Sequence, residues 1–166
     1  MPFDVAMTAA ASALLQTCRD KRLRVATAES CTGGLIAGLL TAVAGSSDVV
    51  ERGFVTYTNE AKQEMLGVPA QFFEPGAVGA VSEEVARAMA EGAVANSRAE
   101  IAVSVTGIAG PGGATPGKPV GLVHMAVARQ GFATIHQRHV FVGDRAAVRR
   151  ASVVGALELL VQAARL

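Results

Sequence analysis

A serine that follows a short apolar run is the first residue of this sequence that could carry chemistry. Ser30 comes after residues 24–28, which predict a strand, and before a helical pattern that continues to about Val43. At such a junction a hydroxyl lies near free backbone N–H groups and the positive end of the helix dipole. Ser30 could act as a nucleophile beside an oxyanion site, or Ser30 or Thr32 could cap the helix.

The residues after Ser30 allow a third interpretation, the passive binding of an anion. Thr32, Gly33 and Gly34 open the predicted helix, where backbone N–H groups favour a phosphate or a carboxylate. The segment has neither a G-x-S-x-G motif nor the lysine of a Walker A loop. The spacing therefore leaves the nucleophile, the cap and the anion site open.

Lysine is the best base that the sequence offers for Ser30. Lys62 is one of three lysines and lies in a short predicted helix that follows Tyr57. A neutral lysine could take the serine proton if burial or cationic neighbours lowered its pKa well below about 10.4, whereas arginine stays protonated. The alternative is a solvated helix lysine. Tyr57 could supply a ring platform and a hydroxyl, or could be a half-buried strand residue.

A glycine-rich stretch between residues 106 and 119 predicts a long loop. Its five glycines, Gly110 among them, would let backbone N–H groups approach a ligand closely, and Thr106 could offer a hydroxyl there. An ordinary long turn is the alternative. Past this loop, Arg145 could clamp a phosphate or carboxylate, or pair with Asp144.

Other polar residues carry weaker signals. Arg149 and Arg150 are expected on the solvated face of the last helix. No serine–histidine–aspartate order supports a histidine triad. The two cysteines form no disulfide framework, and no Cys/His spacing predicts a metal site.

The elements that position these residues predict an α/β fold. Helices are expected over residues 7–21, 35–43, 59–66, 83–96 and 145–164, and strands over residues 24–28, 49–57, 101–105, 120–127 and 134–141. Helices between short apolar strands are typical of a three-layer α/β/α sandwich. The last two strands indicate a mixed, mostly parallel sheet of about five strands.

Composition limits the classes of function. The 166 residues fit one domain, 51% of them are hydrophobic and the net charge is +1. This balance argues against a protein that is held mainly by the phosphates of a nucleic acid. We find no secretory signal and no stretch of about 18 uninterrupted apolar residues, and so expect a cytoplasmic protein without a membrane span.

Several multi-residue blocks occur in order and together span about residues 8–160. They are TAESCTGG at 27–34, GSS at 45–47, RGFVTYTNEAK at 52–62, GAVS at 79–82, TGIAGP at 106–111 and FVGDR at 141–145. These blocks closely resemble the CinA C-terminal domain. The resemblance implies that residues 1–166 form a single domain of this family.

The resemblance also implies an activity, the hydrolysis of the carboxamide of nicotinamide mononucleotide in NAD salvage. By the family pattern Ser30 is the nucleophile and Lys62 its general base, while Tyr57, Thr106 and Arg145 bind or orient the substrate. Water is the cosubstrate, no metal or cofactor is expected, and a homo-oligomer is expected. Two alternatives stay open: a regulatory module that binds a nucleotide without turnover, and a serine amidase that acts on another small amide.

Two assignments within this picture are left open by the sequence. The phosphate would lie against Arg145 and a glycine-rich backbone, either at residues 33–34 or at residues 110–113. Glu29, next to the nucleophile, could keep Lys62 charged or could order the loop. The oxyanion would be stabilised by backbone N–H groups at the start of the second helix, each worth roughly 3–4 kcal/mol.

Overall fold

The computed structural model describes residues 3–166, which form five α-helices around a five-stranded sheet. The helices are α1 Val5–Asp20, α2 Leu35–Thr41, α3 Asn59–Leu66, α4 Glu83–Ala95 and α5 Arg145–Arg165. The strands are β1 Val25–Glu29, β2 Val50–Val55, β3 Ile101–Gly107, β4 Leu122–Arg129 and β5 Ile135–Val140. Two short 3₁₀ turns lie at Ser46–Asp48 and Ala70–Phe73.

Local capping residues set the start of four helices. The side chains that accept a backbone hydrogen bond in the first turn are Asp4, Thr58, Ser82 and Asp144. Such a side chain satisfies a backbone N–H group that the helix itself leaves free. The helices predicted to begin at residues 59, 83 and 145 do begin there, and α1 begins at Val5, two residues before the predicted position.

The sheet has the order β2-β1-β3-β4-β5. Strands β2, β1 and β3 run parallel, whereas β4 pairs antiparallel with both β3 and β5. The carboxyl ends of the three parallel strands therefore meet at one edge of the sheet. The antiparallel pairing of the last two strands makes the sheet mixed, as predicted.

Helices cover both faces of the sheet. Helices α1, α2 and α5 bury their apolar side chains in the larger core, and α3 and α4 pack on the opposite face in a smaller one. Alternate strand residues point to opposite faces, so each strand contributes to both cores. The predicted three-layer α/β/α sandwich around a mixed sheet is confirmed. Among the described residues, no helix combines the length and apolarity needed to cross a bilayer.

Strand β3 extends further than its glycine content suggested. Thr106 and Gly107 were expected in a loop, but they pair with His124 and Val123 of β4. A Cβ atom at Gly107 would lie 2.7 Å from a methyl group of Val123. The glycine therefore permits a close approach of two strands, and the loop begins at Ile108.

A bulge in β2 lies at Glu51, where the register between β1 and β2 shifts, and not at the glycine two residues later. Gly53 instead lies under α2. A Cβ atom at this position would lie 3.1 Å from the Cβ of Ala37 and 3.0 Å from the hydroxyl of Thr27. The glycine thus lets α2 pack closely against the edge strand.

Candidate active site

The carboxyl end of β1 sends two consecutive side chains to opposite faces of the sheet. Glu29, the last residue of the strand, points towards α2, and Ser30 points towards α3. The alternation of strand side chains dictates this separation. The Ser30 N–H donates to the Val105 carbonyl at 3.0 Å, which fixes the serine backbone to the neighbouring strand β3.

Ser30 and Lys62 are in direct contact. The Lys62 Nζ lies 3.0 Å from the Ser30 Oγ and donates to the Thr56 carbonyl at 2.7 Å. A longer contact of 3.5 Å joins it to the Thr58 carbonyl. Helix α3 begins at the Thr58 cap, so its first turn carries Lys62 back to the end of β1. The hydroxyl and the amine that the sequence singled out are thus brought together.

Lys62 is almost completely buried, with 1% of its surface exposed. Burial disfavours the charged form, and it lowers the pKa of Lys62 from 10.5 to about 8. A lysine with this pKa is neutral in a useful fraction of molecules near neutral pH, as a general base requires. The expectation of a solvated helix lysine is wrong.

The pKa of the neighbouring Cys31 thiol is raised rather than lowered. Cys31 is buried beside Ser30, and burial raises its pKa to about 11. It is therefore protonated, and a poor nucleophile, over the whole physiological range.

Glu29 orders the backbone of the serine turn. Its carboxylate accepts hydrogen bonds from the N–H groups of Ile36 and Ala37 at 2.9 and 3.0 Å, and from the Thr27 hydroxyl at 3.2 Å. It forms no hydrogen bond with Lys62, which lies beyond the other face of the sheet. Of the two roles left open for Glu29, the contacts match the ordering of the loop.

The interpretation of Ser30 or Thr32 as a helix cap is wrong. The N-cap residue of α2 is Gly34, with a φ of +95°, and the first-turn N–H groups are satisfied by Glu29 from the strand. The Ser30 hydroxyl contacts Lys62 instead, and the buried Thr32 hydroxyl has no hydrogen-bond partner within residues 3–166.

The N–H groups that stay free lie in the turn before α2. Within residues 3–166, the N–H groups of Cys31, Thr32 and Gly34 donate to no acceptor, whereas that of Gly33 donates to the Ser30 carbonyl at 3.0 Å. Donors for an oxyanion are therefore available in the turn rather than in the first turn of α2.

Arg149 was missed as a site residue by the sequence analysis. It was expected on a solvated face, but its guanidinium donates to the carbonyls of Cys31 and Thr32, each at 3.1 Å. A signal was present, because Arg145 and Arg149 are four residues apart and so lie on the same face of α5.

A second cluster joins Tyr57, Arg145 and Gly110. The Arg145 guanidinium donates to the Tyr57 hydroxyl and to the Gly110 carbonyl, both at 2.9 Å. No pairing with Asp144 occurs, since that carboxylate caps α5. Tyr57 is 58% exposed, so its ring is open to a ligand. The cluster connects the end of β2, the glycine-rich loop and the start of α5.

Thr106 lies at the end of β3 on the same face of the sheet as α4. Its hydroxyl donates to the Ala80 carbonyl at 2.7 Å, which leaves its oxygen able to accept. The Lys118 ammonium donates to the carbonyl of Val78 and so ties the glycine-rich loop to the same segment.

Two of the three histidines form a pair that is separate from Ser30 and Lys62. His124 Nδ1 and His136 Nε2 lie 2.9 Å apart, and the other nitrogen of His136 lies 3.5 Å from the Glu83 carboxylate. Burial and the neighbouring cations lower the pKa of His124 to about 4. Nowhere in the described part of the chain do three or more His, Cys, Asp or Glu side chains form a group suited to a metal ion.

The helix that carries Lys62 packs against α4 through a glycine. A Cβ atom at Gly92 would overlap the carbonyl oxygen of Leu66, one turn after Lys62. The close packing of α3 against α4 thus depends on the absence of a side chain at this position.

Fold and site together define a three-layer α/β/α protein with a buried lysine paired to a serine at the carboxyl edge of its sheet. The chain belongs to the CinA C-terminal domain family, whose model matches residues 7–164. The resemblance inferred from the motif blocks is therefore confirmed.

Known relatives are similar along most of the chain. A nicotinamide-nucleotide amidohydrolase, PncC of Pseudomonas putida, is 49% identical over 156 residues, which cover 94% of this chain and 96% of the relative. A CinA-like protein of Anaeromyxobacter dehalogenans is 54% identical over 142 residues, 86% of this chain and 34% of the relative. The chain thus spans about a third of the length of several curated relatives that it matches.

A solved structure extends the similarity to three dimensions. The competence/damage inducible protein CihA from Agrobacterium tumefaciens is 48% identical and superposes with a TM-score of 0.93. The match covers 99% of this chain and 98% of that one.

Proposed function

We propose that this chain hydrolyses the carboxamide of nicotinamide mononucleotide to nicotinate mononucleotide and ammonia, with Ser30 as the nucleophile and Lys62 as its general base. The observation that carries the proposal is the contact of 3.0 Å between the Ser30 Oγ and a buried lysine whose pKa is lowered. The name of the Pseudomonas putida relative, which matches nearly end to end, supports the substrate.

Acylation begins with proton transfer from the Ser30 hydroxyl to the neutral Lys62 amine. The Oγ attacks the amide carbon and forms a C–O bond, and the carbonyl oxygen becomes an oxyanion. The free N–H groups of Cys31 and Thr32 are candidates to stabilise this charge. The C–N bond then breaks, and the Lys62 ammonium gives its proton to the departing nitrogen, so that ammonia leaves.

Deacylation repeats these steps with water. Neutral Lys62 takes a proton from a water molecule, whose oxygen attacks the acyl carbon. The ester C–O bond breaks, and the proton on Lys62 returns to the Ser30 Oγ. The product is a carboxylic acid, which loses its remaining proton to water at neutral pH, and both side chains are restored without a metal or a cofactor.

The cluster of Tyr57, Arg145 and Gly110 is proposed to hold the rest of the nucleotide. The exposed Tyr57 ring suits a cationic pyridinium face. Two of the five N–H donors of Arg145 are engaged by protein oxygens, so three are free for the 5′-phosphate. The contact between Arg145 and Gly110 favours residues 110–113 over residues 33–34 as the backbone beside the phosphate.

The remaining predicted contacts are assigned to the reacting amide. Thr32, Gly33 and Gly34 form the turn next to Ser30 and are proposed to line the acyl group. Thr106 is proposed to accept a hydrogen bond from the carboxamide nitrogen, because its own proton is engaged by Ala80.

The biological setting of the proposal follows from the reaction. Nicotinate mononucleotide re-enters NAD synthesis, so we assign the reaction to NAD salvage in the cytoplasm. We also propose that the protein works as a homo-oligomer, which light scattering of the purified chain would test.

Ammonia release from nicotinamide mononucleotide is the decisive experiment. The purified protein is compared with Ser30→Ala and Lys62→Ala, with nicotinamide and nicotinamide riboside as substrates that lack the phosphate. We expect the parent to release ammonia from nicotinamide mononucleotide and not from the two compounds that lack the phosphate. The rate of ammonia release should fall at least about 10³-fold in each variant. Circular dichroism of both variants controls for folding.

Each other outcome points to a different function. Binding of the nucleotide without ammonia release would identify a regulatory module. Equal activity on substrates that lack the phosphate would identify an amidase of another specificity. Activity that survives Ser30→Ala would rule out the serine as nucleophile and favour a directly activated water.

A further inference from the structure

Arg149 links α5 to the turn that carries Ser30. The Nε atom donates to the Cys31 carbonyl and the Nη2 atom to the Thr32 carbonyl, each at 3.1 Å. The planar guanidinium thus bridges the oxygens of two consecutive peptide units. A Cβ atom at Gly33 would lie 3.5 Å from the same Nη2 atom, so the arginine also packs against the turn.

The bond to the Cys31 carbonyl fixes the direction of one free backbone N–H group, that of Thr32. In a trans peptide the N–H group points opposite to the carbonyl of the same unit. The Thr32 N–H group shares its unit with the Cys31 carbonyl, so it must point away from Arg149. Helix α5 lies on one face of the sheet and α3, which carries Lys62, lies on the other. The Thr32 N–H group therefore points away from the guanidinium that α5 supplies.

We infer that Arg149 is a positioning residue for the reaction: through the Cys31 carbonyl it holds the peptide unit whose free N–H group, that of Thr32, faces the oxyanion. This inference rests on the proposed function. The guanidinium never contacts the substrate. Its charge also polarises the peptide unit of the Cys31 carbonyl, which strengthens the Thr32 N–H group as a donor.

The neighbouring arginine provides a matched control. Arg150 is next to Arg149 on the same helix and has the same charge, but it is exposed and pairs with Asp4. It forms no hydrogen bond with the Ser30 turn. Substitution of Arg150 therefore removes an equal charge from α5 and leaves the two carbonyls bound.

Steady-state hydrolysis of nicotinamide mononucleotide is measured for Arg149→Ala, Arg149→Lys and Arg150→Ala. We expect Arg149→Ala to lower kcat about 100-fold, the effect of a lost oxyanion donor, with KM within about threefold of the parent. Arg149→Lys restores part of the rate, since an ammonium can donate to both carbonyls. Arg150→Ala keeps the parent rate.

Added guanidinium ion separates positioning from a general loss of structure. At concentrations that leave the parent unchanged, it should raise kcat of Arg149→Ala and leave Arg150→Ala unaffected. The pH at which kcat/KM reaches half its plateau should be the same in the parent and in Arg149→Ala. If kcat of Arg149→Ala stayed within threefold of the parent value, the inference would be overturned. A change in Arg149→Ala that is confined to KM would also overturn it, because Arg149 would then be a substrate contact.

Amide hydrogen exchange keeps this inference distinguishable from the proposed function. If the parent releases no ammonia from the nucleotide, the proposed function fails. Exchange over residues 30–35 still tests the link, and we expect it to be at least about tenfold faster in Arg149→Ala than in Arg150→Ala, with Arg149→Lys between them. Equal exchange in all three variants would overturn the link itself.

Discussion

Two ionisable side chains lie buried on opposite sides of β1, and they differ in what surrounds them. Glu29 has three hydrogen-bond donors around its carboxylate, two of them from the start of α2. Lys62 has two carbonyls and the Ser30 hydroxyl, and burial lowers its pKa to about 8. Both are less than 2% exposed.

The difference separates a carboxylate that orders the backbone from the amine that we propose as the general base. Two of the three Glu29 partners are backbone N–H groups, which can only donate, so the carboxylate accepts from them and holds the turn in place. The Ser30 hydroxyl can also give up its proton, so Lys62 is joined to a group with which it can exchange one. Burial alone therefore does not mark a catalytic residue; the chemistry of its partners does.

Removal of the charge at Glu29 should give the largest change in stability. A glutamine keeps the shape but cannot accept all three bonds, and its amide N–H₂ faces backbone donors. We expect Glu29→Gln to lower the free energy of unfolding by about 2–3 kcal/mol in urea titrations. Glu60→Gln, at an exposed carboxylate in the first turn of α3, should change it by less than about 0.5 kcal/mol. Equal effects of the two substitutions would contradict the structural role of Glu29.

The pH dependence of kcat/KM tests the proposed role of Lys62 as the general base. A base must be neutral, so kcat/KM should rise with pH and reach a plateau with an apparent pKa of about 8. At pH 7 the rate should be about a tenth of the plateau value. Cys31→Ala should leave this rise unchanged, because burial raises the pKa of that thiol to about 11. A midpoint near 6.5 would assign the titration to a different group.

Substitution of the buried amine by an apolar side chain gives the smallest expected effect. The folded-state pKa of Lys62 is about 8 and its ordinary value is 10.5, so its burial destabilises the fold fully below pH 8 and not above 10.5. Lys62→Met should raise the free energy of unfolding by about 1 kcal/mol at pH 7, and the gain should shrink towards pH 10.

Lys21→Met, at an exposed lysine, serves as the control for Lys62→Met. It should change stability by less than about 0.5 kcal/mol at either pH. If Lys62→Met gave the same gain at both pH values, the relief of a buried charge would not explain it.

Local signals were sufficient for most of the fold. The caps at Thr58, Ser82 and Asp144 were visible in the sequence because a cap acts within three residues of its partner. The length of β3 was not visible. Gly107 lies in a glycine-rich stretch that is typical of a loop, and only its pairing with Val123 shows that a strand continues there.

Site residues that lie in the motif blocks could be predicted from the sequence. Contacts that join distant segments of the chain could not. Ser30 and Lys62 lie in those blocks, and the structure brings them together. Glu29 reaches the first turn of α2 from a strand, so the cap of that helix could not be found by inspection of its first residues. Arg149 acts on a turn more than a hundred residues earlier in the chain.

Gly92 shows how far the constraint of this site extends in sequence space. The residue touches no reacting group, yet any side chain there would push against Leu66 and displace the helix that carries Lys62. In a library of all single variants selected for the proposed activity, position 92 should be as depleted as positions 30 and 62. A mutation at this codon would then abolish the proposed activity without any change to Ser30 or Lys62.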